Sequence, residues 1–257
     1  MKLLDGKARA CAIMKELESE IAALPKPPGL GVILVGDDKS SHLYVSLKEK
    51  RGTEIGVEVF VTRFPEGTKE EIVARKIKDF NADRRIQGIL IQLPLPKGMN
   101  TGDLLSLIDP SKDVDGLLSE SGVDSPLLQA IEDLIQVASP SLEGKKGTVF
   151  ANSVYFRESL VALLAKKGVK CIDEFREADV VITAKGIAGF ITADMIRPGA
   201  IVIDVGITEA GGTVKGDVDP GVFAKTDLVS PVPGGVGPLT IAYLFKNLVR
   251  LVKGASS

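Results

Sequence analysis

The sequence predicts an α/β protein in which parallel strands are joined by crossover helices. Short runs rich in Val and Ile alternate with longer amphipathic stretches along the whole chain, which is the pattern of such connections. These runs are short and strongly apolar, as strands are in a sheet that helices cover on both faces. With 257 residues, 44% of them hydrophobic, the chain can bury a core as one large domain or two smaller ones.

The first half of the chain alternates three expected strands with two helices. The helices are expected near residues 40 to 55 and 69 to 82. The strands are expected at 31 to 36, 57 to 64 and 88 to 93.

The second half repeats this alternation after a seam at about residues 117 to 145. Turn residues open the seam, and "LLQAIEDLIQVAS" then predicts a linking helix. The last stretch, "GPLTIAYLFKNLVRLVKG", has helical apolar periodicity and can return to the first half. The strands of this half are expected at 146 to 151, 168 to 172, 179 to 184, 200 to 206 and 227 to 230.

Charge and cysteine content exclude several classes of function. A formal net charge of -2 gives no basic surface for nucleic acid or anionic membrane. Cys11 and Cys171 are isolated and the chain has one histidine, so neither a disulfide framework nor a metal site is expected. The sequence has no apolar run long enough for a membrane span and no signal-peptide pattern at its start. We therefore expect a cytoplasmic protein.

Four segments place chemically useful residues where strands are expected to end, which is where ligands bind in open α/β sheets. Tyr44 and Lys48 are four residues apart in an expected helix, so their side chains share a face. Gln92 begins the rigid loop "QLPLPKG", and Asp115 lies in the turn "KDVDG". Each of these features alone also suits an ordinary surface helix, loop or turn.

The fourth segment, "SPVPGGVGPLT", holds more Gly and Pro than a turn requires. Its backbone lets a flat ligand approach closely, and amides at the following helix start can donate hydrogen bonds. A Tyr-x-x-x-Lys pair is also the signature of short-chain dehydrogenases. Those enzymes place a glycine-rich nucleotide loop before the pair, and here the order is reversed.

Six segments follow one another over nearly the whole chain: "SSHLYVSLKEKRGTEIGVE", "GILIQLPLPKG", "KDVDG", "GAIVIDVGI", "KGDVDP" and "PVPGGVGPLT". In this order they resemble the bifunctional methylenetetrahydrofolate dehydrogenase/methenyltetrahydrofolate cyclohydrolase family. The resemblance implies a folate-binding catalytic domain (residues 1–118 with 238–257) and a Rossmann-like dinucleotide-binding domain (residues 119–237). It also implies a folate site in a cleft between the two domains, and a homodimer.

The resemblance assigns roles to four side chains. Lys48 is the expected general acid/base of the cyclohydrolase step, because a partly buried amine near a cationic substrate has a lowered pKa. Tyr44 is expected to orient the substrate and Lys48, and Gln92 to hydrogen-bond the amine. Asp115 is expected to recognise the polar edge of the pterin.

Further residues of the folate side have lesser expected roles. Ser41 is given a supporting role only, and His42 is expected to be solvated and without a function. The glycine-rich segment is expected to pack near the substrate ring through Pro233, Gly234, Gly235 and Gly237.

The dinucleotide side departs from the family pattern. Relatives carry a G-x-S-x-x-x-G-x-P loop after the first strand of this domain, and this chain has "ANSVYFRES". Ser153 is kept, whereas Ala151 and Arg157 stand at the glycine positions and Ser159 at the proline position. The Arg157 side chain can block a pyrophosphate or form a salt bridge with it.

The cofactor expected at this altered loop is NADP or NAD. The segment after the second strand is shortened and retains Asp173, an acid that favours the free 2'-hydroxyl of NAD, while Arg176 argues weakly for NADP. Gly186 and Gly189 match the family after the third strand. Two alternatives remain open: a cyclohydrolase with a vestigial cofactor domain, and a folate-binding protein without activity. The second would be expected to have lost Lys48 or Asp115.

Overall fold

The computed structural model describes residues 4–210 and 213–254. The chain folds into two compact units. Unit 1 comprises Met1–Ala10 with Leu127–Thr240, and unit 2 comprises Cys11–Pro126 with Ile241–Ser257.

Unit 2 contains a three-stranded parallel sheet in the order β2-β1-β3. Its strands are β1 (Gly29–Val35), β2 (Glu58–Phe64) and β3 (Gly88–Ile91). Every residue of the central strand β1 is buried, which explains its uninterrupted apolar sequence. The helices of this part of the chain are α1 (Gly6–Ala22), α2 (Lys39–Glu54), α3 (Glu70–Ala82) and α4 (Thr101–Ser106).

The final helix, α7 (Val236–Gly254), fills one side of the unit 2 core. Leu244, Phe245 and Leu248 are at most 1% exposed and belong to the same apolar cluster as Val32 of β1. The expected return of the C-terminal helix to the first domain is therefore confirmed. Its apolar periodicity also gave its bounds to within about one residue.

Unit 1 contains a four-stranded parallel sheet in the order β5-β4-β6-β7. The helices α5 (Pro126–Ala138) and α6 (Val154–Lys166) precede and follow its first strand. A short antiparallel hairpin, β8 (Thr208–Ala210) and β9 (Thr213–Lys215), was not predicted. The strands of the sheet are β4 (Lys146–Ala151), β5 (Lys170–Cys171), β6 (Val180–Ala184) and β7 (Ile201–Asp204).

Two details of unit 1 differ from expectation. The strand expected at 227 to 230 is wrong, since only an isolated bridge between Val202 and Val229 forms there. The shortened segment 172–179 crosses from β5 to β6 without a helix. Phe175 anchors this crossover by stacking on Phe150 of β4, with ring centroids 4.0 Å apart.

The fold class is confirmed as two α/β units, each with its own parallel sheet. In the part of the chain that the structure describes, no helix has the length and apolarity needed to cross a membrane.

Candidate functional site

Helix α2 begins where it does because Asp38 caps it. The Asp38 carboxylate accepts a hydrogen bond from the Ser41 backbone N–H at 2.7 Å, and this bond is a main cause of the lowered pKa of Asp38. The cap follows β1 directly, so α2 starts at the carboxyl end of the sheet. Val45 on the buried side of α2 is fully enclosed, while Tyr44 and Lys48 are half-buried.

The Lys48 amine and the Gln92 side chain are joined by a hydrogen bond. Lys48 Nζ donates to Gln92 Oε1 at 3.0 Å. Gln92 follows β3 directly, and its backbone N–H donates to the Ile33 carbonyl of β1 at 2.8 Å. The carboxyl end of the sheet therefore holds Gln92, whose side-chain amide orients the Lys48 amine.

Burial lowers the pKa of Lys48, and the nearby negative charge of Asp115 partly offsets this effect. Burial also raises the pKa of Asp115, while the Lys48 charge acts in the opposite direction. The pKa of Tyr44 is raised by burial as well. The site thus holds an amine that titrates closer to neutral pH than an exposed lysine, beside a carboxyl group of weakened acidity.

Asp115 lies in a turn whose geometry depends on Asp113 and Gly116. The Asp113 carboxylate, 1% exposed, accepts hydrogen bonds from the backbone N–H groups of Leu117 and Leu118 at 2.8 and 2.9 Å. Gly116 has φ +59°, a conformation that favours glycine. The first aspartate of "KDVDG" therefore shapes the turn, and the second presents its carboxyl group near Lys48.

Helix α2 also carries His42, which was expected to be solvated, and Ser41, which was given a supporting role. His42 is not simply solvated: it is half-buried and its Nε2 lies 3.1 Å from the Gly36 carbonyl oxygen. That expectation was wrong because the carbonyl at the end of β1 lies within reach of the first turn of α2. Ser41 is 3% exposed, and its backbone N–H completes the Asp38 cap.

The glycine-rich segment belongs to unit 1, and packing within that unit accounts for part of its composition. Gly234 has φ +112° and follows Pro233, which has a cis peptide bond. The Gly235 carbonyl lies so close to Gly6 of α1 that a Cβ on Gly6 would be 1.9 Å from its oxygen. Gly237 lies in the first turn of α7.

On the expected cofactor side, Ser153 caps α6 and Arg157 reaches Asp173. Ser153 Oγ accepts a hydrogen bond from the Phe156 N–H at 3.3 Å. A guanidinium nitrogen of Arg157 lies 3.7 Å from a carboxylate oxygen of Asp173, and both side chains are exposed. The sequence did not reveal that these two candidates pair with each other.

The loop after β6 is held by a buried carboxylate that sequence reasoning did not select. Asp217 is fully buried and accepts hydrogen bonds from the N–H groups of Lys185 and Ile187 at 2.6 and 2.8 Å, on either side of Gly186. Gly186 itself has φ +63°. The same carboxylate accepts a bond from the Thr183 hydroxyl at 2.7 Å.

A second buried carboxylate, Asp204, ends β7 beside Asp217. It is 2% exposed and accepts hydrogen bonds from the N–H groups of Gly206, Asp217 and Val218 at 2.9 to 3.0 Å. Burial raises the pKa of Asp204 to about 6, although these amide bonds oppose the shift. Asp204 lies in the motif "VIDVG" and Asp217 in "KGDVD". The spacing of these motifs does not predict that the two carboxylates lie side by side.

Two family models together cover most of the chain. The tetrahydrofolate dehydrogenase/cyclohydrolase catalytic domain matches residues 4–115, and the NAD(P)-binding domain of the same family matches residues 128–256. The chain belongs to this tetrahydrofolate dehydrogenase/cyclohydrolase family.

Individual relatives of the tetrahydrofolate dehydrogenase/cyclohydrolase family match over nearly their whole length. The bifunctional protein FolD of Thermodesulfovibrio yellowstonii is 39% identical over 276 residues, covering 98% of this chain and 96% of the relative. The crystal structure of FolD from Campylobacter jejuni is 34% identical, with a TM-score of 0.91 and 99% of each chain covered. The Trypanosoma brucei FolD structure, complexed with NADP and an inhibitor, is 30% identical, with a TM-score of 0.92 over 99% of this chain and 98% of the other.

Membership in the family gives the group formed by Lys48, Gln92 and Asp115 a chemical context. The structure brings these three side chains together in unit 2, where Lys48 and Gln92 share a hydrogen bond and the Asp115 charge acts on the Lys48 amine. Asp113 and Asp38, which shape the turn and start α2, were not selected from the sequence. The acidic residue at a helix start after a strand is the signal that could have identified Asp38.

Proposed function

We infer that the chain interconverts 5,10-methylenetetrahydrofolate, 5,10-methenyltetrahydrofolate and 10-formyltetrahydrofolate. The two steps are an NAD(P)-dependent dehydrogenation and a cyclohydrolase reaction. The observation that carries this inference is the Lys48–Gln92 hydrogen bond of 3.0 Å, with the amine buried beside Asp115, in a chain that both family models match.

In the cyclohydrolase step, Lys48 serves as the general acid/base. Burial lowers the pKa of its amine, which favours the neutral form that accepts a proton from the water attacking the cationic methenyl carbon. The resulting ammonium returns the proton to the ring nitrogen as the tetrahedral adduct opens. Gln92 Oε1 accepts a hydrogen bond from this amine and keeps it directed at the reacting atoms.

The remaining residues of the folate side bind and orient. The Tyr44 hydroxyl, one helical turn before Lys48, orients the substrate and the amine. Asp115 accepts hydrogen bonds from the polar edge of the pterin. The backbone of Pro233, Gly234, Gly235 and Gly237 contributes to substrate binding.

The dinucleotide is held by unit 1. The residues there fit such a group in position: β4 leads into α6 as the first strand of a parallel sheet does in Rossmann-like domains, and Ser153 caps the helix start. Ser153, Arg157, Asp173 and Gly186 are the residues proposed to hold NAD or NADP. When bound, the nicotinamide ring supplies a hydride acceptor, and the chain contributes positioning.

Two observations favour a second candidate, a cyclohydrolase with a vestigial cofactor unit. Ala151 and Arg157 replace glycines, and the crossover 172–179 has no helix. Calorimetric titration with NAD and with NADP separates the two candidates. Saturable binding together with methylenetetrahydrofolate oxidation supports the bifunctional enzyme, while methenyltetrahydrofolate hydrolysis without any dinucleotide binding supports the second.

The cyclohydrolase assignment is tested by substitution on α2. Purified protein should accelerate the loss of the near-ultraviolet absorbance of 5,10-methenyltetrahydrofolate, and Lys48→Met should lower this rate about 100- to 10,000-fold, as loss of a general acid/base does. Lys50→Met is the matched control, because Lys50 is an exposed lysine of the same helix. An unchanged rate in Lys48→Met would remove Lys48 from its role.

We also propose that the enzyme acts in the cytoplasm as a homodimer and needs no metal. Cys11 and Cys171 are free thiols, which suits a reducing compartment. Light scattering of the purified protein tests the dimer, and activity after dialysis against a chelator tests the absence of a metal requirement.

A further inference from the structure

Helix α7 carries a buried amide in the middle of its apolar face. Asn247 is 2% exposed, and its neighbours Phe245 and Leu248 are fully buried core residues. A buried amide is stable only when it has hydrogen-bond partners. Asn247 Nδ2 donates to the Val114 carbonyl at 2.9 Å and to the Asp124 carbonyl at 2.8 Å.

The Val114 carbonyl is a notable target because Val114 separates Asp113 from Asp115. Val114 is fully buried, and its side chain packs over Gly88 of β3. A Cβ at Gly88 would lie 2.3 Å from Val114 Cγ1, so this contact has no room for a larger residue. The turn is therefore held from the sheet by side-chain packing and from α7 by the amide.

Other contacts hold the two ends of the same turn. Before it, Lys112 Nζ donates to the carbonyls of Phe80, Asn81 and Asp83 at 2.8 to 3.2 Å, at the end of α3. After it, the Asp113 carboxylate accepts two backbone N–H groups. Neither of these contacts reaches the peptide between Val114 and Asp115, whereas the Asn247 amide binds its carbonyl oxygen directly.

We propose that Asn247 is a positioning residue for the cyclohydrolase step: its amide fixes the Val114 carbonyl so that the Asp115 carboxylate stays beside the Lys48 amine. This proposal rests on the proposed function. Asn247 does not touch the reacting atoms and acts through Asp115.

The consequence can be measured because Asp115 influences the protonation of Lys48. Its charge raises the pKa of Lys48 against the larger, opposite effect of burial. When Asp115 moves away, burial acts without this offset, and the Lys48 amine loses its proton at lower pH. The other ionisable groups of this region are Asp113, whose charge acts on Asp115, and Tyr44, which is on the same helix as Lys48.

The test compares Asn247→Ala with Val249→Ala, in which a buried core residue of the same helix is shortened. Both variants are expected to be less stable than the wild type. Only Asn247→Ala is expected to lower kcat for methenyltetrahydrofolate hydrolysis, by about 10- to 100-fold, as small misplacements of catalytic groups do. Only this variant should move the limb of the kcat–pH profile that belongs to Lys48 to lower pH.

Gly88→Ala provides a second route if Asn247→Ala does not fold. It keeps Asn247 and places a methyl group 2.3 Å from Val114 Cγ1 and 2.7 Å from Leu248 Cδ1 of α7, so the packing between Val114 and α7 must change and the same shift of the pH profile is expected. If the wild type hydrolyses the substrate and folded Asn247→Ala keeps its kcat and pH profile, the positioning role is refuted while the proposed function stands; where Asn247→Ala does not fold, an unchanged kcat and pH profile of folded Gly88→Ala refutes it. Absence of hydrolysis in the wild type would instead refute the proposed function, and this role with it.

Discussion

The buried carboxyl group of Asp204 is expected to make the protein less stable as the pH rises from 5 to 7.5. Its pKa is raised from 3.8 to about 6, chiefly by burial and also by the Asp217 charge. The folded state thus holds this proton more tightly than the unfolded state does. The contribution to stability is greatest below about pH 3.8, declines as the pH rises through 6 and is constant above that range.

The size of the effect follows from the shift of about 2.2 pKa units between 3.8 and 6. At ~1.36 kcal/mol per unit, the full loss amounts to about 3 kcal/mol. About half of it, roughly 1.4 kcal/mol, falls between pH 5 and pH 7.5; the rest falls below pH 5, where the unfolded chain has lost most of this proton while the folded protein still holds it. This is a measurable fraction of the stability of a typical domain.

The perturbation is Asp204→Asn, which removes the ionisation and keeps the shape of the side chain. The variant is expected to be less stable at pH 5, because its amide nitrogen faces backbone N–H donors. Between pH 5 and pH 7.5, however, the free energy of unfolding of the wild type should fall by about 1.4 kcal/mol more than that of the variant. Urea unfolding followed by far-ultraviolet circular dichroism at pH 5.0 and 7.5 measures this difference.

Asp227→Asn serves as the control, because Asp227 is an exposed carboxyl group of the same unit. This variant should retain the wild-type dependence on pH. Equal changes in the free energy of unfolding for wild type and Asp204→Asn would refute the reasoning, since Asp204 would then hold its proton no more tightly in the folded protein.

Three further substitutions test other parts of the structure. Tyr44→Phe should raise the KM for methenyltetrahydrofolate more than it lowers kcat, because it removes the hydroxyl proposed to orient the substrate; steady-state hydrolysis assays decide this. Arg157→Ala should weaken NADP binding about tenfold more than NAD binding, a difference of ~1.4 kcal/mol in binding free energy, because it removes the cation beside Asp173. Calorimetric titration with both dinucleotides measures this difference. Equal losses of affinity for NAD and NADP would contradict the prediction. Phe175→Ala should destabilise the protein by about 2 kcal/mol through loss of the ring stacked on Phe150, and an unchanged urea midpoint would contradict that.

The sequence predicted the main elements of both sheets because hydrophobic periodicity reports burial directly. β1 reads as a continuous apolar run since both of its faces are covered, and α7 shows one apolar stripe that matches its buried residues. The strand expected at 227 to 230 was wrong for the same reason. Val229 is buried and apolar, but it pairs with Val202 at a single position, and burial alone does not create a ladder.

Lys48, Gln92 and Asp115 could be selected from the sequence because each lies in a segment that resembles the family, although each segment alone also suits an ordinary helix, loop or turn. The residues that support the group could not be predicted in this way. Asn247 is 133 residues from Val114 along the chain, and no local pattern encodes that contact. The meeting of Asp204 with Asp217 likewise depends on tertiary structure rather than on the spacing of the two motifs.

The distance along the chain between Val114 and the helix that holds it has a consequence for synthesis on the ribosome. At about 5 to 20 residues per second, the 133 residues that separate Val114 from Asn247 take roughly 7 to 27 s to add. During that interval strands β1, β2 and β3 have been synthesised, but Leu244 and Phe245 have not. The apolar face of the sheet that these two side chains later cover is therefore still exposed. The nascent chain therefore exposes hydrophobic surface for many seconds, and chaperones bind such exposed hydrophobic surface.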